Sequence, residues 1–302
     1  MRLVFSLDVE EEGLFSGSYE REPRGLRNVA LLRRLEWVTR DFGVPLTLLA
    51  TWPVFSDPAC ADLLRGLRDD LGAEIGAHLH PWNTPPFCPE DRGAPSASRL
   101  PAPLVAAKLE TLCEAARACS GVRPVSFRMG RWDFTEAVRD ALPGAGIRVD
   151  SSVQPLAATP AGTEHFLDWG DPRPLSTKNG VLLEAPLTVV PLSEAVARGV
   201  SALRGVLPRA ALAAFARLGR VSVQPVWHAL PAMKLAANLH ARRGGRVLVM
   251  FLHSSELLPG ANPRLPAQRD VDALLAKIRL FLEWLAREHG LEGRRLGDLA
   301  TG

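Results

Sequence analysis

The sequence lacks the features that mark several large classes of protein. No apolar run approaches the ~20 residues that a membrane-spanning helix needs, so stable insertion into a bilayer is not expected. Basic residues outnumber acidic ones only by 36 to 33, without long runs of like charge, so a nucleic-acid partner is not expected either. The four cysteines show no CxxC spacing, and the first residues show no secretory signal. We therefore expect reduced thiols and a cytoplasmic protein.

Short motifs of common nucleotide and acyl-transfer sites are absent as well. The sequence has no GxGxxG or GxxxxGK[ST] loop to surround phosphates, and no GxSxG turn to present a nucleophilic serine. Chemistry must therefore be sought among the acids, the arginines and the seven histidines. Two of these histidines, His78 and His80, stand one residue apart directly after an apolar run.

Short apolar runs alternate with amphipathic stretches in the first half of the chain. Strands are predicted at residues 2–9, 44–50, 73–80, 124–130 and 147–153. Helices are predicted between them at residues 26–43, 58–72, 103–121 and 132–146. Such alternation indicates parallel strands joined by right-handed crossovers. Because it recurs along the chain, we predict an α/β fold, either a barrel or a doubly wound sheet.

The alternation lapses in the second half of the chain. One more strand is predicted at 181–190, and an Ala-, Leu- and Arg-rich stretch follows that is mostly helical and has no predicted strand. A strongly apolar strand at 246–256 and a long helix at 269–290 come last. We therefore predict a single domain over residues 1–302, in which residues 192–245 form a helical insertion or lid before the last strand.

Polar side chains stand where several predicted strands end. They are Asp8 and Glu10 after the first strand, His78 and His80 at the third, Arg128 at the fourth, Asp150 at the fifth and His253 at the last. In parallel α/β folds the carboxyl ends of the strands gather on one face, and that face carries the chemistry. We therefore expect these residues to converge on one pocket.

The histidine pair has the spacing of a metal site. Residues i and i+2 of a strand point to the same side, so His78 and His80 could direct two imidazoles at one ion. Zinc accepts imidazole and carboxylate ligands, and Asp8 or Glu10 could supply the carboxylate. The alternatives are that His80 caps the following turn, or that His78 is a hydrogen-bonded core residue.

The other strand-end residues allow more than one interpretation. His253 follows six apolar residues and could act as a general acid or base, or simply bond to a backbone carbonyl. A buried Arg128 needs an anionic partner, either Asp8 or Asp150, and a purely structural ion pair is equally consistent. Asp150 itself could orient a catalytic group or be a turn carboxylate.

Some aromatic and acidic residues near these strands have weaker claims to a role. Trp82, Trp132 and Trp169 could be platforms for sugar rings, although core packing or loop anchoring is the favoured role for each. Glu11 and Glu12 are predicted to be solvated charges.

Five phrases of the sequence resemble the motifs of a known superfamily. FSLDVE, EIGAHLHPW, FRMGRW, DSS and LHSSE occur in the order of the motifs of the polysaccharide deacetylases, carbohydrate esterase family four. The resemblance covers roughly residues 1–153, 181–190 and 246–290. It implies a distorted (β/α)7 barrel of parallel strands, and a divalent metal, usually zinc, that serves in removing acetyl groups from N-acetylated sugars.

The resemblance also implies a ligand set. The family's metal aspartate normally occupies the position of Val9, and Glu10 could replace it. His78 matches the first ligand histidine, and His80 would stand in for the second, because Trp82 occupies the usual position of that histidine. These departures resemble a divergent branch linked to lipopolysaccharide or other surface-glycan biosynthesis.

Catalytic roles follow from the same resemblance. Asp8 matches the base, Arg128 the arginine that orients it, Asp150 the acid of the fourth motif and His253 the general acid. With a cytoplasmic location, these imply a nucleotide- or lipid-linked N-acetylated sugar as substrate rather than a finished polymer. Two alternatives remain open: a hydrolase of a small non-sugar amide on the same scaffold, and an inactive glycan-binding module.

Overall fold

A large curved sheet forms the framework of the protein. The computed structural model describes residues 1–17, 19–89, 96–157 and 165–301. Within these ranges the strands are β1 (Arg2–Val9), β2 (Leu46–Ala50), β3 (Glu74–Leu79), β4 (Ser126–Met129), β5 (Val149–Asp150), β6 (Arg173–Thr177), β7 (Gly180–Glu184), β8 (Val189–Pro191), β9 (Arg220–Ser222), β10 (Val247–His253) and β11 (Glu292–Arg294).

Helices connect most of these strands. In the same ranges they are α1 (Arg27–Ala30), α2 (Glu36–Phe42), α3 (Trp52–Ser56), α4 (Pro58–Leu71), α5 (Ala102–Ser120), α6 (Glu136–Ala141), α7 (Glu194–Ala202), α8 (Arg209–Leu218), α9 (Leu230–Arg242) and α10 (Gln268–His289). None of the helices in these ranges combines the length and the apolar content that a membrane crossing requires.

Parallel strands make up most of the sheet, in the order β10-β1-β2-β3-β4-β5-β7. Strand β6 adds to β7 in the antiparallel direction, and β11 pairs with the first residues of β1. The sheet curls into a half-barrel. The predicted distorted barrel with seven parallel strands is therefore confirmed.

The outer edge of β10 is covered by groups from outside the main sheet. Thr188 exchanges two hydrogen bonds with Val249, donating from its backbone N–H at 3.1 Å and accepting at Oγ1 at 2.8 Å. The Gln224 amide donates to the Val249 carbonyl at 3.0 Å and accepts from the Phe251 N–H at 2.9 Å. An edge strand needs such partners for its backbone groups. Side chains thus continue the barrel wall where strand pairing stops.

The alternation of side chains along each strand separates two apolar cores. Leu3, Phe5 and Leu7 of β1 belong to the core between the sheet and the helices. Val4 belongs to a second core, inside the curve of the sheet, together with Val249. Burial on both faces explains why the strands have near-continuous apolar runs. Because residues i and i+2 share a face, the side chains that follow Val4 by twos, including Asp8, point inside the curve.

The second half of the chain differs from its prediction in three respects. The single strand predicted at 181–190 is two strands, β7 in the main sheet and β8 in a separate pair, because Pro186 and its neighbours interrupt the ladder. The stretch predicted to lack strands contains β9, which pairs with β8. Strands β6 and β11 were not predicted either. All three are short, so they give little periodicity to read.

Candidate active site

Residues from four strands meet in a pocket at the carboxyl end of the sheet. The pocket has a volume of about 160 Å³ and is lined by five of the predicted site residues, Asp8, Glu10, His78, His80 and His253. Arg128 is fully buried and contacts Asp8. The structure does not bring Asp150, the remaining predicted residue, to this pocket.

Glu10, His78 and His80 place three ligand atoms together. Glu10 Oε2 lies 3.6 Å from His78 Nε2 and 3.5 Å from His80 Nε2. All the candidate ligand atoms lie within 4.8 Å of one another, and all three residues are buried. Burial and the neighbouring acids raise the pKa of the Glu10 carboxyl well above its usual range, although the His253 charge acts to lower it. Such a cluster of donors is poorly solvated, and a bound dication would neutralise the charge of its carboxylate.

The backbone of β4 orients His78. Its Nδ1 lies 2.9 Å from the Arg128 carbonyl oxygen, and this acceptor assigns the ring proton to Nδ1. The lone pair of Nε2 then faces Glu10. Burial lowers the pKa of His78 to about 3, so the imidazole is neutral, as a metal ligand must be.

Glu11 orients the second histidine, and its predicted role as a solvated charge is wrong. Glu11 is 2% exposed, and its Oε1 lies 3.2 Å from His80 Nδ1. The same oxygen accepts hydrogen bonds from Asn83 Nδ2 at 2.7 Å and from Trp82 Nε1 at 3.3 Å. Burial acts to raise the pKa of Glu11, but His80 and these donors bring it below its usual value. A carboxylate behind a ligand histidine fixes the ring and makes it a stronger donor.

Arg128 holds Asp8 in the ionised form. Its Nη1 donates to Asp8 Oδ1 at 2.6 Å, Nη2 donates to Ser6 Oγ at 2.8 Å, and Nε donates to the Ser151 carbonyl at 2.9 Å. Burial acts to raise the pKa of Asp8, but the charge and hydrogen bond of Arg128, together with His78 and His253, outweigh it and lower that pKa. Asp8, and not Asp150, is thus the anionic partner that the buried guanidinium requires.

Asp150 lies on the other face of its strand. It pairs in register with Phe127, whose side chain belongs to the core beneath the helices. The Asp150 carboxylate accepts hydrogen bonds from Ser152, at 2.6 Å from Oγ and 3.0 Å from the backbone N–H, and Glu184 is its neighbour in the next strand. Burial raises the pKa of Asp150. Its contacts assign it to the turn after β5.

His253 is held by a carboxylate that the sequence interpretation left without a role. Its Nδ1 lies 3.1 Å from Glu256 Oε1, which also accepts from Asn262 Nδ2 at 3.0 Å. Burial acts to lower the pKa of His253, but Glu256, Glu10 and Asp8 together raise it to about 10. His253 Nε2 lies 4.0 Å from Asp8 Oδ2. The imidazolium and the ionised Asp8 therefore face the same space.

The three tryptophans have different surroundings. Trp82 is 2% exposed and stacks on the candidate ligand His80 with ring centroids 4.2 Å apart, and it also lines the site pocket. Trp132 lines the site pocket, whereas Trp169 lines a separate cavity beside Asp171.

A tight turn after β4 shapes one wall of the pocket. A Cβ on Gly130 would overlap the imidazole of His80, so only glycine fits there. Arg131 and Trp132 follow with φ of 58° each, in the left-handed region that ordinary residues avoid. Such conformations cost about 1–3 kcal/mol each and persist where the surrounding structure enforces them.

Comparison with known proteins supports the fold. No family model matches the chain, and no curated protein matches it. A solved structure of a candidate polysaccharide deacetylase from Mycobacterium smegmatis superposes with a TM-score of 0.62 at 16% identity, covering 99% of this chain and 88% of that one. This chain has the polysaccharide deacetylase fold. At that identity the likeness concerns the fold alone.

Two further solved structures of this fold are more distant. A carbohydrate esterase domain of a xylanase from the hindgut metagenome of Trinervitermes trinervoides gives a TM-score of 0.49 at 8% identity, covering 99% of this chain and 89% of that one. A family 4 carbohydrate esterase from Streptomyces lividans gives 0.47 at 13%, covering 97% and 91%. At these scores neither adds weight to the assignment.

Proposed function

We propose that this protein is a metal-dependent hydrolase that removes the N-acetyl group from a sugar or glycan intermediate and releases acetate. The observation that carries the proposal is the position of the Glu10, His78 and His80 cluster in one pocket with the Asp8–Arg128 pair. A ligand set, a base and an acid are the parts that such a hydrolysis needs.

The three clustered side chains fit a catalytic metal. One carboxylate and two imidazoles are a ligand set of catalytic zinc sites, which keep a further position open. Both histidines have their Nδ1 atoms engaged by acceptors, Arg128 O and Glu11, so both Nε2 atoms are available. A dication held by Glu10, His78 and His80 would polarise the acetyl carbonyl and lower the pKa of a water molecule.

Asp8 is the proposed general base. Because Arg128 keeps its carboxylate ionised, Asp8 can accept the proton of the attacking water. The oxygen of that water bonds to the acetyl carbon. Arg128 also fixes the direction of the carboxylate through the Oδ1 contact, which leaves Oδ2 toward the pocket and His253.

His253 is the proposed general acid. Glu256 engages Nδ1, so the proton on Nε2 faces the pocket and can pass to the nitrogen that leaves the acetyl carbon. Breaking that C–N bond gives acetate and a free amine. The raised pKa of His253 keeps the imidazole protonated at neutral pH, the form that an acid requires.

The metal site is tested by metal analysis of purified protein. We expect about one equivalent of divalent metal in the wild type and none in a His78→Ala, His80→Ala double variant. A His228→Ala, His289→Ala variant, which changes two histidines outside the pocket, is the matched control and should retain the metal. Undiminished metal in the first variant would remove this site from consideration.

Acetate release from a panel of substrates tests the reaction. We expect N-acetylated sugars and sugar conjugates to release acetate, and small non-sugar amides to react weakly. Turnover of small amides alone would favour the hydrolase alternative. Sugar binding by the metal-loaded protein with no acetate from any substrate would favour an inactive glycan-binding module.

A further inference from the structure

Arg131 places a positive charge at the wall of the site pocket. It lines the same cavity as Asp8 and His253, and its side chain is exposed to solvent. Its guanidinium carbon lies 4.6 Å from the centre of the Tyr19 ring. Among the described residues no carboxylate lies within ion-pair distance of it. Arg131 is thus supported by an aromatic face.

The adjoining cavity shows the opposite arrangement. It shares Phe15 with the site pocket and contains Arg24 and Arg27. Arg24 contacts Glu20 at 2.6 Å, and Arg27 contacts Glu12 at 2.7 Å. The charges of these two arginines are therefore matched by acids of the protein. Arg131 differs from Arg24 and Arg27 because no acid of the described residues pairs with it, so its guanidinium N–H groups can donate to a bound ligand.

The turn that carries Arg131 fixes this donor beside the reacting groups. The backbone of Arg131 has φ 58° and ψ 15°, and Gly130 before it packs directly on the ring of His80. Trp132, after it, lies against Phe251 with ring centroids 5.0 Å apart. The backbone of Arg131 is therefore fixed between two packed neighbours, Gly130 on the proposed metal ligand His80 and Trp132 on the barrel interior.

We propose that the sugar on which this site acts has an anionic substituent, a phosphate ester or a carboxylate, and that Arg131 binds it. The inference rests on the proposed deacetylase function and narrows its substrate class. A guanidinium presents a planar fork of N–H donors that matches the oxygens of a phosphate or a carboxylate. The acetyl group would enter the pocket while the anion stays at its wall.

Binding to the metal-loaded, full-length protein tests this without turnover. Calorimetry would compare N-acetylglucosamine with its 1-phosphate, its uridine diphosphate ester and the carboxylate-bearing N-acetylmuramic acid. We expect at least one charged ligand to bind about tenfold more tightly than the neutral sugar, in line with a charge-assisted hydrogen bond. The three charged probes distinguish a monoester, a diphosphate and a carboxylate.

Variants assign the preference to the side chain. Arg131→Gln should lose the preference while binding the neutral sugar as before, and Arg131→Lys should keep part of it. Arg217→Gln, which removes an exposed arginine of α8 outside the pocket, is the matched control and should keep all of it. Circular dichroism of each variant would verify that it is folded.

The results of these experiments can contradict the Arg131 anion site and the deacetylase function independently of each other. Equal binding of neutral and charged sugars by the wild type, or an unchanged preference in Arg131→Gln, overturns the anion site even if acetate is released. A preference that depends on Arg131, with no acetate from any probe, supports the anion site and contradicts the deacetylase proposal.

Discussion

Asp8 and Asp150 are both buried carboxylates at the ends of parallel strands, yet their surroundings are opposite. Asp8 contacts the guanidinium of Arg128 at 2.6 Å, and this cation, with His78 and His253, brings the pKa of Asp8 below its usual value against the effect of burial. Asp150 has a second carboxyl, Glu184, beside it, and burial raises the pKa of both. Asp8 is therefore an ionised acid that can accept a proton, whereas Asp150 and Glu184 form an acid pair that retains one.

The face of the strand accounts for this difference. Asp8 lies inside the curve of the sheet, where Arg128 and the pocket are. Asp150 pairs with Phe127 and points toward the core under the helices. Strand-end placement alone selects both residues from the sequence. Only the face on which each side chain lies separates Asp8, which lines the pocket, from Asp150, which does not.

The largest expected effect comes from exchanging each of the two aspartates for asparagine. Asp8→Asn removes the proposed base and should lower kcat for acetate release by about 10²–10⁴-fold. Asp150→Asn should change kcat by no more than a few-fold, because its carboxylate does not reach the pocket. Metal content and circular dichroism would serve as controls for folding. A loss in Asp150→Asn as large as that in Asp8→Asn would contradict the comparison.

A smaller effect is expected at Glu11, the carboxylate behind the candidate metal cluster. Glu11→Gln should weaken metal binding by about 10–100-fold, because the amide orients His80 less strongly and does not increase its basicity. Competition with a chelator measures this affinity independently of turnover. Glu12→Gln is the matched control, since Glu12 belongs to the same acidic run but pairs with Arg27 outside the site. Equal affinities in both variants would argue against a positioning role for Glu11.

The sequence predicts the pocket where strands are long and fails where elements are short. β1 and β10 have eight and seven residues, so their apolar runs locate Asp8 and His253 at the strand ends. β5 has two residues, too few to show which face Asp150 occupies. Once the strands are assigned, their parallel arrangement alone predicts that the strand ends, which are far apart in the sequence, meet at one edge of the sheet.

Residues that act on other site residues were harder to predict than those that line the pocket. Glu11 reaches His80 across 69 positions of the sequence, and no local pattern encodes that contact. Glu256 lies three residues after His253, but it reaches the ring only because a 3-10 turn follows β10. A rule that ligand and catalytic histidines need a carboxylate or carbonyl behind them would have singled out both glutamates.

The pH dependence of acetate release should reflect the protonation of His253, the proposed general acid. His253 must be protonated, and its pKa is raised to about 10, so activity should persist above neutral pH and fall as the pH approaches that value. A bound dication would move the fall to lower pH by repelling the imidazolium. Glu256→Gln removes the principal raising charge and should shift the fall further toward the ordinary histidine range, with Glu288→Gln on the exposed face of α10 as control. An unchanged profile would remove Glu256 from this role.

The smallest expected effect is a change in stability, which should have opposite signs when Glu184 and Asp8 are replaced. The folded-state pKa of Glu184 is raised, so its contribution favours the folded protein below its ordinary value of 4.5 and is lost as the pH rises toward the folded-state value. Glu184→Gln should therefore raise Tm relative to wild type at pH 7, and this gain should disappear at pH 4. Asp8 has a lowered pKa, so Asp8→Asn should instead lower Tm, and most strongly at pH 7. Thermal denaturation at both pH values measures this, with the exposed Glu136→Gln as control. The opposite signs are expected because a cation faces Asp8 whereas a second carboxyl faces Glu184. If Glu184→Gln lowered Tm at pH 7, as Asp8→Asn should, Glu184 would be ionised in the folded protein and the comparison would be contradicted.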